Sequence, residues 1–590
     1  MYYSNGNYEA FARPLKPEGV DKKSAYLVGS GLASLAAACF LVRDGQMAGN
    51  RIHILEEMSI PGGACDGIED ALKGFIIRGG REMEDHFECL WDLFRSIPSI
   101  ETEGVSVLDE FYWLNKEDPN YSLLRVTEKR GQDAHTDGKF ELSQEGMKEV
   151  LKLYLTKEED LYDKRIDEVF TSAFFDSNFW IYWRSMFAFE TWHSAVEMRR
   201  YIQRFIHHLD GLPTLSALKF TKYNQYESLI LPMVKYLESH GVEFVYDTNV
   251  TNVVFDIQGS KKVAKEIVCV QKGKEKTIKL TENDLVFVTN GSCTDNASIG
   301  DENTVPEFRT EAGPAWSLWK NIAKQDPSFG RPEKFCSNTE ASNWESATIT
   351  LLDKKIYPYL EKIAQRDLYT GKVVTGGIVT CKDSKWLCSW SISRQPHFKV
   401  QPDDKLVIWF YGLFSNTEGD FVKKAMRDCT GEEIAQEWLY HVGVPENEIA
   451  ELAKNSTRSI PCMMPFITTY FMPRRAGDRP KIVPEGCTNF AFLGNFADTE
   501  ERDTVFTTEY SVRTGMEAVY KLLKVDRGVP EVYGSCYDIR VLLKSLPTLN
   551  DGKKLTELEL PWIARKGLKF ILKKTKGTYI EELLETYKVI

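Results

Sequence analysis

Residues 25–45, AYLVGSGLASLAAACFLVRDG, decide the fold of this 590-residue chain. Four apolar residues predict a short strand, Gly29, Gly31 and Ser34 follow with the spacing G-x-G-x-x-S, and an alanine-rich helix begins at once. Gly29 permits a tight turn, Gly31 lets a pyrophosphate approach the backbone, and the small Ser34 allows the helix to pack on the strand. The pattern predicts a dinucleotide-binding βαβ unit; the alternative is an ordinary βαβ unit with a glycine turn.

The next segment indicates which dinucleotide is bound. RIHILEE, residues 51–57, predicts a second strand, and Glu56 at its end stands where a ribose-hydroxyl acceptor is expected. A second glycine loop, MSIPGGACDG, contains Gly62 and Gly63 and is typical of FAD proteins of the glutathione-reductase-like group. No second G-x-G-x-x-G is present, so the sequence predicts FAD and no nicotinamide half-site.

Later segments are expected to complete the same domain. The segments around Val250 and Asn290 predict strands that return to it, and the strand and helix around Thr508 are expected to close over the flavin end. The predicted fold is therefore α/β, with a discontinuous FAD-binding Rossmann-like domain, a mixed β-sheet substrate domain, a helical insertion and a C-terminal helical tail. The predicted boundaries are 20–95 with 225–300 and 480–525 for the FAD-binding domain, 96–224 for the helical insertion or lid, 301–479 for the substrate domain and 531–590 for the tail.

The composition excludes several classes of protein. The hydrophobic fraction of 43% and the charged fraction of 27% are those of a globular protein, and no apolar run is long enough to cross a membrane. The net charge of −12 argues against nucleic-acid binding. The 12 scattered cysteines lack C-x-x-C or zinc-ligand spacing, which indicates reduced thiols in the cytosol and predicts no metal site. The polar N-terminus does not resemble a signal peptide.

The C-terminal tail differs in charge from the rest of the chain. Residues 565–576, RKGLKFILKKTK, carry six positive charges and no acidic residue. With helical periodicity, most of the basic side chains fall on one arc and the apolar ones on the other. This predicts a helix that lies on an anionic membrane surface, at the inner face of the cell membrane of a cytoplasmic protein. The alternative is a helix docked on the chain itself or on a dimer partner.

A third glycine-containing segment, RGGREM at residues 78–83, places Glu82 directly beside Arg81, with Arg78 at the start. From these residues alone, Glu82 is expected to be a salt-bridge partner of the two arginines. Tyr201 lies in a helical segment rich in aromatic residues, where simple packing is the expected role.

With these segments assembled, the sequence resembles the oleate hydratase family, also known as myosin-cross-reactive antigens, and in particular its staphylococcal-type members. The resemblance extends from about residue 24 to about residue 520. It rests on GSGLASLAAA, PGGACDG, RGGREMEDHFECLWDLFRSIPS, MRRYIQRFIHH, KYNQYESLI, SISRQPHF and RDTVFTTEYSVRTGMEAVY. Such enzymes add water to the cis-9 double bond of unsaturated fatty acids such as oleate, giving 10-hydroxystearate. FAD is required but undergoes no net redox, and family members are commonly homodimers.

The resemblance implies roles for individual residues. Arg78 and Arg81 would face the flavin, Glu82 would activate the attacking water, and Tyr201 would protonate the alkene. A phenol with a pKa of about 10 is a weak acid for this task, so neighbouring cations or the flavin would have to assist it. The expected cations are Arg199, Arg200 and Arg204.

The resemblance also assigns the residues that hold the fatty-acid carboxylate: Gln225, Ser391, Ser393 and His397. Ser391 and Ser393 stand where the family usually has Thr and Asn. A serine hydroxyl still donates one hydrogen bond, but it lacks the second group of an amide. Two other functions are left open by the residues themselves: a flavin oxidoreductase acting on a lipid or amine, and a non-catalytic lipid-binding protein.

Overall fold

A computed structural model describes residues 14–65, 67–70, 74–80, 82–499, 503–558 and 562–590. Arg81, which was predicted to face the cofactor, lies outside the described residues. The strands, numbered in chain order, are β1 Ser24–Val28, β2 Ile52–Leu55, β3 Ile68–Asp70, β4 Gly74–Ile76, β5 Val126–Glu128, β6 Gln132–Asp133, β7 Glu243–Val245, β8 Thr248–Gln258, β9 Lys261–Gln271, β10 Lys274–Lys279, β11 Asp284–Thr289, β12 Ser298–Ile299, β13 Trp344–Leu351, β14 Val379–Cys381, β15 Cys388–Ser391, β16 Leu406–Gly412, β17 Thr457–Met464 and β18 Phe490–Leu493.

Helices connect and cover these strands. The α-helices are Leu32–Arg43, Glu88–Phe94, Val107–Glu117, Gln144–Leu155, Ser172–Phe175, Asn178–Phe187, Ala195–Phe205, Leu231–Ser239, Pro314–Ala323, Glu333–Cys336, Thr339–Ser342, Tyr357–Ala364, Gly431–His441, Glu446–Ser456, Thr508–Leu523, Ile539–Leu549, Trp562–Thr575 and Tyr579–Thr586. The short 3-10 and π turns are Val20–Lys22, Gly49–Arg51, Gly63–Cys65, Glu158–Leu161, Ile166–Glu168, Ile206–Gly211, Tyr226–Ile230, Pro327–Phe329, Met426–Asp428, Thr469–Phe471, Ser535–Tyr537 and Leu555–Glu557.

A five-stranded parallel sheet confirms the predicted nucleotide-binding architecture. Its strand order is β18-β11-β1-β2-β7, and each neighbouring pair is parallel. The strands come from three distant parts of the sequence, as expected for a discontinuous domain. β11 and β18 are almost continuously apolar and buried, because helices such as Leu32–Arg43 and Thr508–Leu523 cover a parallel sheet. The carboxyl ends of β1 and β2 meet at one edge, where a nucleotide site is expected.

The strands of the segment around Val250 belong to two sheets. β7 joins the parallel sheet, whereas β8, which carries Val250, pairs antiparallel with β9 and forms a three-stranded sheet with β10. Tight turns at Gly259 and Gly273, both with positive φ, connect these strands. Strands joined by such short turns pair with their sequence neighbours, whereas a parallel pairing needs a long crossover.

An eight-stranded mixed sheet forms the second large unit, in the order β12-β17-β13-β16-β15-β14-β5-β6. Side chains alternate between its two faces, as strand geometry requires. On β16, Leu406, Ile408 and Phe410 join one hydrophobic core, whereas Trp409 and Tyr411 join the other. The sheet therefore separates a helix-covered core from the face that carries the candidate site.

The segment predicted to be a helical insertion is mostly helical but also contributes strands. β5 and β6, at residues 126–133, extend the edge of the eight-stranded sheet, with β5 parallel to β14. The sequence pattern missed these strands because each has only two or three residues. We propose the boundaries given above for the domains, with residues 126–133 belonging to the substrate sheet.

The tail forms two helices at its end, Trp562–Thr575 and Tyr579–Thr586. More than half of the surface of Trp562, Phe570 and Ile571 is exposed. Among the described residues, no helix combines the length and the apolar character needed to cross a membrane.

Candidate active site

Two glycine loops lie against each other at the carboxyl end of the parallel sheet. Gly29 has a φ of +88°, a conformation that favours glycine, and Gly31 forms a backbone bridge with Gly62. A Cβ added at Gly63 would lie 3.1 Å from the Cα of Gly31. The glycines therefore allow two backbone segments to approach closely and to form one continuous cradle.

The cradle lines a cavity of about 510 Å³. The helix Leu32–Arg43 begins here, and its N-cap, Gly31, provides no side chain to satisfy the first backbone N–H groups. The exposed N–H groups and the positive end of the helix dipole suit a phosphate group. Gly29, Gly31, Glu56, Gly62, Gly63, Arg78, Val250 and Thr508 all line this cavity, as predicted.

Glu56 lies at the end of β2 and is anchored within the cradle. Its carboxylate accepts hydrogen bonds from the Ser30 backbone N–H at 2.8 Å, from the Ser30 hydroxyl at 2.5 Å and from the Met58 N–H at 2.8 Å. These bonds fix the carboxylate at the cavity wall, in the place where the sequence predicts a ribose contact.

Two predicted cofactor residues lie behind the wall of the cavity and not in it. The hydroxyl of Ser34 is 3.0 Å from that of Thr289 and ties the helix to β11, which fits the packing role expected for a small residue there. The side-chain amide of Asn290 donates to the carbonyl of Phe496 at 3.0 Å. Both residues shape the cavity from outside.

A second cavity, lined mainly by aromatic and aliphatic side chains, adjoins the first. Arg78, Thr294, Phe506, Thr507 and Thr508 line both cavities, so they mark the seam between them. At this seam, the Arg78 guanidinium donates to the Gly63 carbonyl at 2.7 Å. The buried hydroxyl of Thr508 has no hydrogen-bond partner in the described part of the chain, so it remains available to a bound group.

The structure brings Glu82 and Tyr201 together on this second cavity, although 119 positions separate them in the sequence. Glu82 follows the RGG turn, and Tyr201 lies on the helix Ala195–Phe205. The wall around them includes Trp183, Phe187, Phe205, Trp344, Trp409, Tyr411 and Ile467. A carboxylate and a phenol therefore face one apolar space.

Sequence reasoning missed Arg125, which lies near Glu82. The guanidinium of Arg125 is buried and donates to the Ile378 carbonyl at 2.8 Å and to the Ser185 hydroxyl at 2.9 Å. Burial lowers its pKa to about 10, while Tyr411, Tyr182 and Glu82 oppose this shift. A charged residue directly before β5, after Leu123 and Leu124, was the available signal.

Tyr201 is 2% exposed, and its hydroxyl donates to the Val505 carbonyl at 2.5 Å. Burial raises its pKa well above the ordinary value, and the charges of Glu197 and Asp503 raise it further. Among nearby cations, Arg479 lowers this pKa. That neighbouring cations or the flavin assist the phenol stays a prediction.

Two of these three arginines form ion pairs. Arg200 pairs with Glu158 at 2.8 Å, and Arg204 pairs with Glu84 and Asp503, both at 3.1 Å. Arg199 donates to Gln203 at 3.1 Å. Because buried cations require such partners, the positive charge on this helix is compensated locally.

The residues predicted to hold a carboxylate form two groups outside the main cavity. Gln225 and His397 are neighbours, because the Asn224 side chain and backbone both donate to the His397 carbonyl. Both are buried, and neither Gln225 Oε1 nor His397 Nδ1 has a hydrogen-bond partner among the described residues. Burial lowers the pKa of His397 to about 4, so its imidazole is neutral near pH 7.

Ser391 and Ser393 line a small separate cavity, together with Arg394 and Gly377. Leu215 borders both cavities: it lines the main one, and a Cβ on Gly377, which lines the small one, would lie 2.6 Å from its Cδ1. The serines are thus close to the apolar space but are not part of its wall.

Comparison with known proteins gives a consistent result. The MCRA family model matches residues 22–520. The chain is 54% identical over 587 residues to the oleate hydratase of Streptococcus pyogenes serotype M49 (strain NZ131), covering 99% of both chains. It is 28% identical over 538 residues to the linoleate hydratase of Lactiplantibacillus plantarum, covering 85% of this chain and 93% of the relative.

Solved structures overlap more loosely. Cyclohexylamine oxidase from Brevibacterium oxydans IH-35A is 12% identical, with a TM-score of 0.48 that covers 85% of this chain and 99% of the oxidase. At this level of overlap no functional conclusion follows. The family match and the full-length identity show that this chain belongs to the MCRA family.

Proposed function

We propose that this chain is a fatty-acid hydratase that converts oleate to 10-hydroxystearate with FAD bound and without net electron transfer. The observation that carries the proposal is the placement of Glu82 and Tyr201 on one apolar cavity that adjoins a dinucleotide-shaped cavity. The full-length similarity to an oleate hydratase supports the same reaction.

The cradle residues fit FAD. The open helix N-terminus at Gly31 would hold the pyrophosphate, Glu56 the ribose, and Arg78 with Thr508 the flavin end. The Thr508 hydroxyl has no hydrogen-bond partner among the described residues, and the two glycine loops approach each other closely. Packing of the protein alone would require neither feature. When bound, FAD supplies a planar, hydrogen-bonding ring system beside the substrate, and hydration itself neither consumes nor releases electrons.

Glu82 is proposed to act on the water. Its carboxylate accepts one water proton while the water oxygen bonds to C10 of the acyl chain, which gives the 10-hydroxyl group. The negative charge of Glu82 also stabilises the positive charge that develops on the alkene carbon, an effect that is large in a cavity from which bulk water is excluded.

Tyr201 is proposed to donate the other proton, to C9. Its phenol proton is held by the Val505 carbonyl in this structure, so the hydroxyl must leave that carbonyl to reach an alkene. The raised pKa makes a phenolate costly. Protonation of the alkene by Tyr201 is therefore favourable only when water addition removes the positive charge in the same step. After the reaction, the proton accepted by Glu82 must return to Tyr201 through solvent.

Gln225, Ser391, Ser393 and His397 are proposed to bind the fatty-acid carboxylate. Hydroxyl, amide and neutral imidazole N–H groups can each donate a hydrogen bond to it. Leu215 borders both the serine cavity and the apolar cavity, so a shift of Leu215 would connect the serines with the apolar cavity. Binding through neutral donors suits an anion that arrives with a long apolar chain.

The tail is proposed to place the enzyme, as a homodimer in the cytoplasm, on the anionic inner face of the cell membrane. The helix Trp562–Thr575 exposes Trp562, Phe570 and Ile571, and its basic side chains are also exposed. Exposed aromatic residues beside lysines suit the boundary between lipid headgroups and acyl chains. A helix docked on its own chain would instead bury these apolar side chains.

Product analysis tests the proposed reaction. Purified enzyme with FAD and oleate, incubated without oxygen or another electron acceptor, should give a product heavier than oleate by one water molecule. A product that has lost hydrogen, formed only when an acceptor is present, would identify a flavin oxidoreductase instead. Unchanged oleate that co-purifies with the protein would identify a lipid-binding protein.

A further inference from the structure

A cluster of metal-binding side chains lies on the helix-covered side of the eight-stranded sheet, outside the candidate active site. Cys381 ends β14 and Cys388 begins β15, and the pairing of Thr380 with Ser389 places the two cysteines opposite each other at the next position. His441 is the last residue of the helix Gly431–His441, and its imidazole completes the group. The two sulfur atoms and one His441 nitrogen all lie within 4.8 Å of one another.

All three side chains are shielded from solvent. Cys381 is 1% exposed, Cys388 0% and His441 3%. The sequence spacing does not indicate this cluster, because the cysteines are not spaced as C-x-x-C and the histidine follows more than 50 residues later. Strand pairing, not local spacing, brings the ligands together.

Two carboxylates also lie beside the imidazole. Nε2 of His441 is 3.3 Å from Glu437 Oε1 and 3.4 Å from Asp420 Oδ2, within ion-pair distance of both. The histidine is therefore close both to the two thiols and to the two carboxylates.

The loop that carries Asp420 is held firmly in place. Backbone N–H groups of Asp420, Phe421 and Val422 all donate to the Glu437 carboxylate, at 2.6, 2.9 and 2.8 Å. The Lys385 N–H, in the hairpin between the two cysteines, donates to Asp420 Oδ2 at 2.9 Å. The hairpin, the loop and the helix end are thus fixed relative to one another before any ion binds.

The ligand types of the cluster suit a cation. Cysteine binds metal ions as thiolate and histidine as the neutral imidazole. Buried thiolate charge is costly when it is unpaired, and a divalent ion would compensate it.

We propose that Cys381, Cys388 and His441 bind a thiophilic divalent cation of the zinc class. Two sulfurs and one imidazole nitrogen form a ligand set that zinc accepts, with a water molecule in the fourth tetrahedral position. The carboxylate of Glu437, which is occupied by three backbone N–H groups, positions the loop and the histidine from behind.

The consequence of binding is structural. The ion would join β14, β15 and the end of the helix Gly431–His441, and β15 leads directly to Ser391. The bound ion would therefore fix the strand that carries part of the proposed carboxylate site. No step of the hydration reaction involves it.

Metal analysis of the full-length protein tests the site. Protein produced in zinc-supplemented medium and freed of loosely bound metal should retain about one zinc ion per chain. Cys381→Ser and His441→Ala should each lower this content at least about tenfold, as expected for loss of one of the three protein ligands. The matched control is Cys429→Ser, which removes a buried cysteine from the same core whose thiol donates to the Ala425 carbonyl at 3.3 Å, and it should retain the metal.

A second measurement decides the question if the variants do not fold. Wild-type protein produced with cobalt in place of zinc should show the absorption of a thiolate-to-cobalt charge transfer, and a chelator that removes it should lower the melting temperature. Three results would each overturn the proposal. They are wild-type protein that retains no metal and shows no such absorption, a metal content in Cys381→Ser equal to that of the wild type, and a native disulfide between Cys381 and Cys388.

Discussion

At the scale of single residues, Glu82 and Tyr201 face the same cavity from different electrostatic surroundings. Glu82 lies near the buried guanidinium of Arg125, which favours a carboxylate. Tyr201 lies near Glu197 and Asp503, which favour the neutral phenol. A carboxylate that is charged and a phenol that keeps its proton are the protonation states that a base and an acid need before they act.

Replacing Glu82 tests the base. Glu82→Gln keeps the size and polarity of the side chain but removes the charge, so it should lower kcat by about 10²–10⁴-fold. FAD and oleate should still bind. Steady-state kinetics with oleate, together with flavin absorbance of the purified variant, measure both effects.

The control for this variant is Asp85→Asn. Asp85 is also an acidic residue of the same segment, but 62% of its side chain is exposed, beside Lys219. This change should leave kcat nearly unaltered. A Glu82→Gln enzyme that retains most of its turnover would remove Glu82 from the mechanism.

Replacing Tyr201 tests the acid. Tyr201→Phe retains the ring that packs against Phe187, Phe189 and Phe471, and it removes only the hydroxyl. We expect kcat to fall by about 10²–10⁴-fold with little change in KM. Kinetics over a range of oleate concentrations separate the two parameters.

Tyr510→Phe is the matched control, since its hydroxyl also donates to a backbone carbonyl, that of Ala497, at 2.6 Å. Each variant should lose about 1 kcal/mol of stability with that bond, but only Tyr201→Phe should lose turnover. Equal kinetics for the two variants would show that Tyr201 is a packing residue.

His397 makes the stability of the folded protein depend on pH. Its folded pKa of about 4 lies below the ordinary value of 6.5, so the unfolded chain binds a proton that the folded chain does not bind. The stability is therefore complete above pH 6.5 and is lost as the pH falls from 6.5 to 4, by about 3 kcal/mol in total.

Denaturant unfolding of wild type and His397→Gln at several pH values measures this loss. The difference in unfolding free energy between the two proteins should shrink by up to about 3 kcal/mol between pH 7 and pH 4. His135→Gln, at a histidine whose side chain is 80% exposed, is the control and should follow the wild type. A constant difference across this pH range would contradict a neutral, buried His397.

At the scale of secondary-structure elements, the strong patterns were predictable and the short ones were not. The strand-glycine-helix pattern around Gly29 gave β1 and the following helix correctly. β5 and β6 are too short for a periodicity to appear. The antiparallel pairing of β8 with β9 follows from the short turn at Gly259 that joins them, and strand periodicity alone does not reveal the pairing partner. Arg125 could not be assigned because its partners are backbone carbonyls far away in the sequence.

The helix Trp562–Thr575 carries the membrane proposal. A double change of Phe570 and Ile571 to serine removes exposed apolar surface, and a double change of Lys569 and Lys573 to glutamate reverses exposed charge. Each lysine near an anionic surface contributes about 1 kcal/mol, so the charge reversal should weaken binding to vesicles rich in phosphatidylglycerol by at least roughly tenfold. Co-sedimentation with vesicles measures it.

Neither double variant should alter turnover of detergent-dispersed oleate, because the helix lies outside both cavities. Vesicles of phosphatidylcholine alone provide the uncharged comparison. Unchanged binding of both variants to anionic vesicles would assign the tail to contacts within the protein or with a second copy.

At the scale of the whole molecule, the candidate site exists only after the chain has folded. Gly29, Glu82, Tyr201 and Thr508 come from four separate parts of the sequence and border two adjoining cavities. The glycine motif predicted the first cavity from physical reasoning alone, because its spacing reflects a local turn. The catalytic pair followed only from the family resemblance, since no local pattern distinguishes Glu82 from a salt-bridge partner or Tyr201 from a packing residue.

The origin of the product oxygen tests the central claim most directly. Wild-type enzyme is incubated with FAD and oleate in heavy-oxygen water under ordinary oxygen gas, and the acyl product is examined by mass spectrometry. The account predicts one solvent-derived oxygen in a new hydroxyl group at C10, and almost none of this product from Glu82→Gln. A hydroxyl oxygen derived from oxygen gas, or a product without any new oxygen, would contradict it.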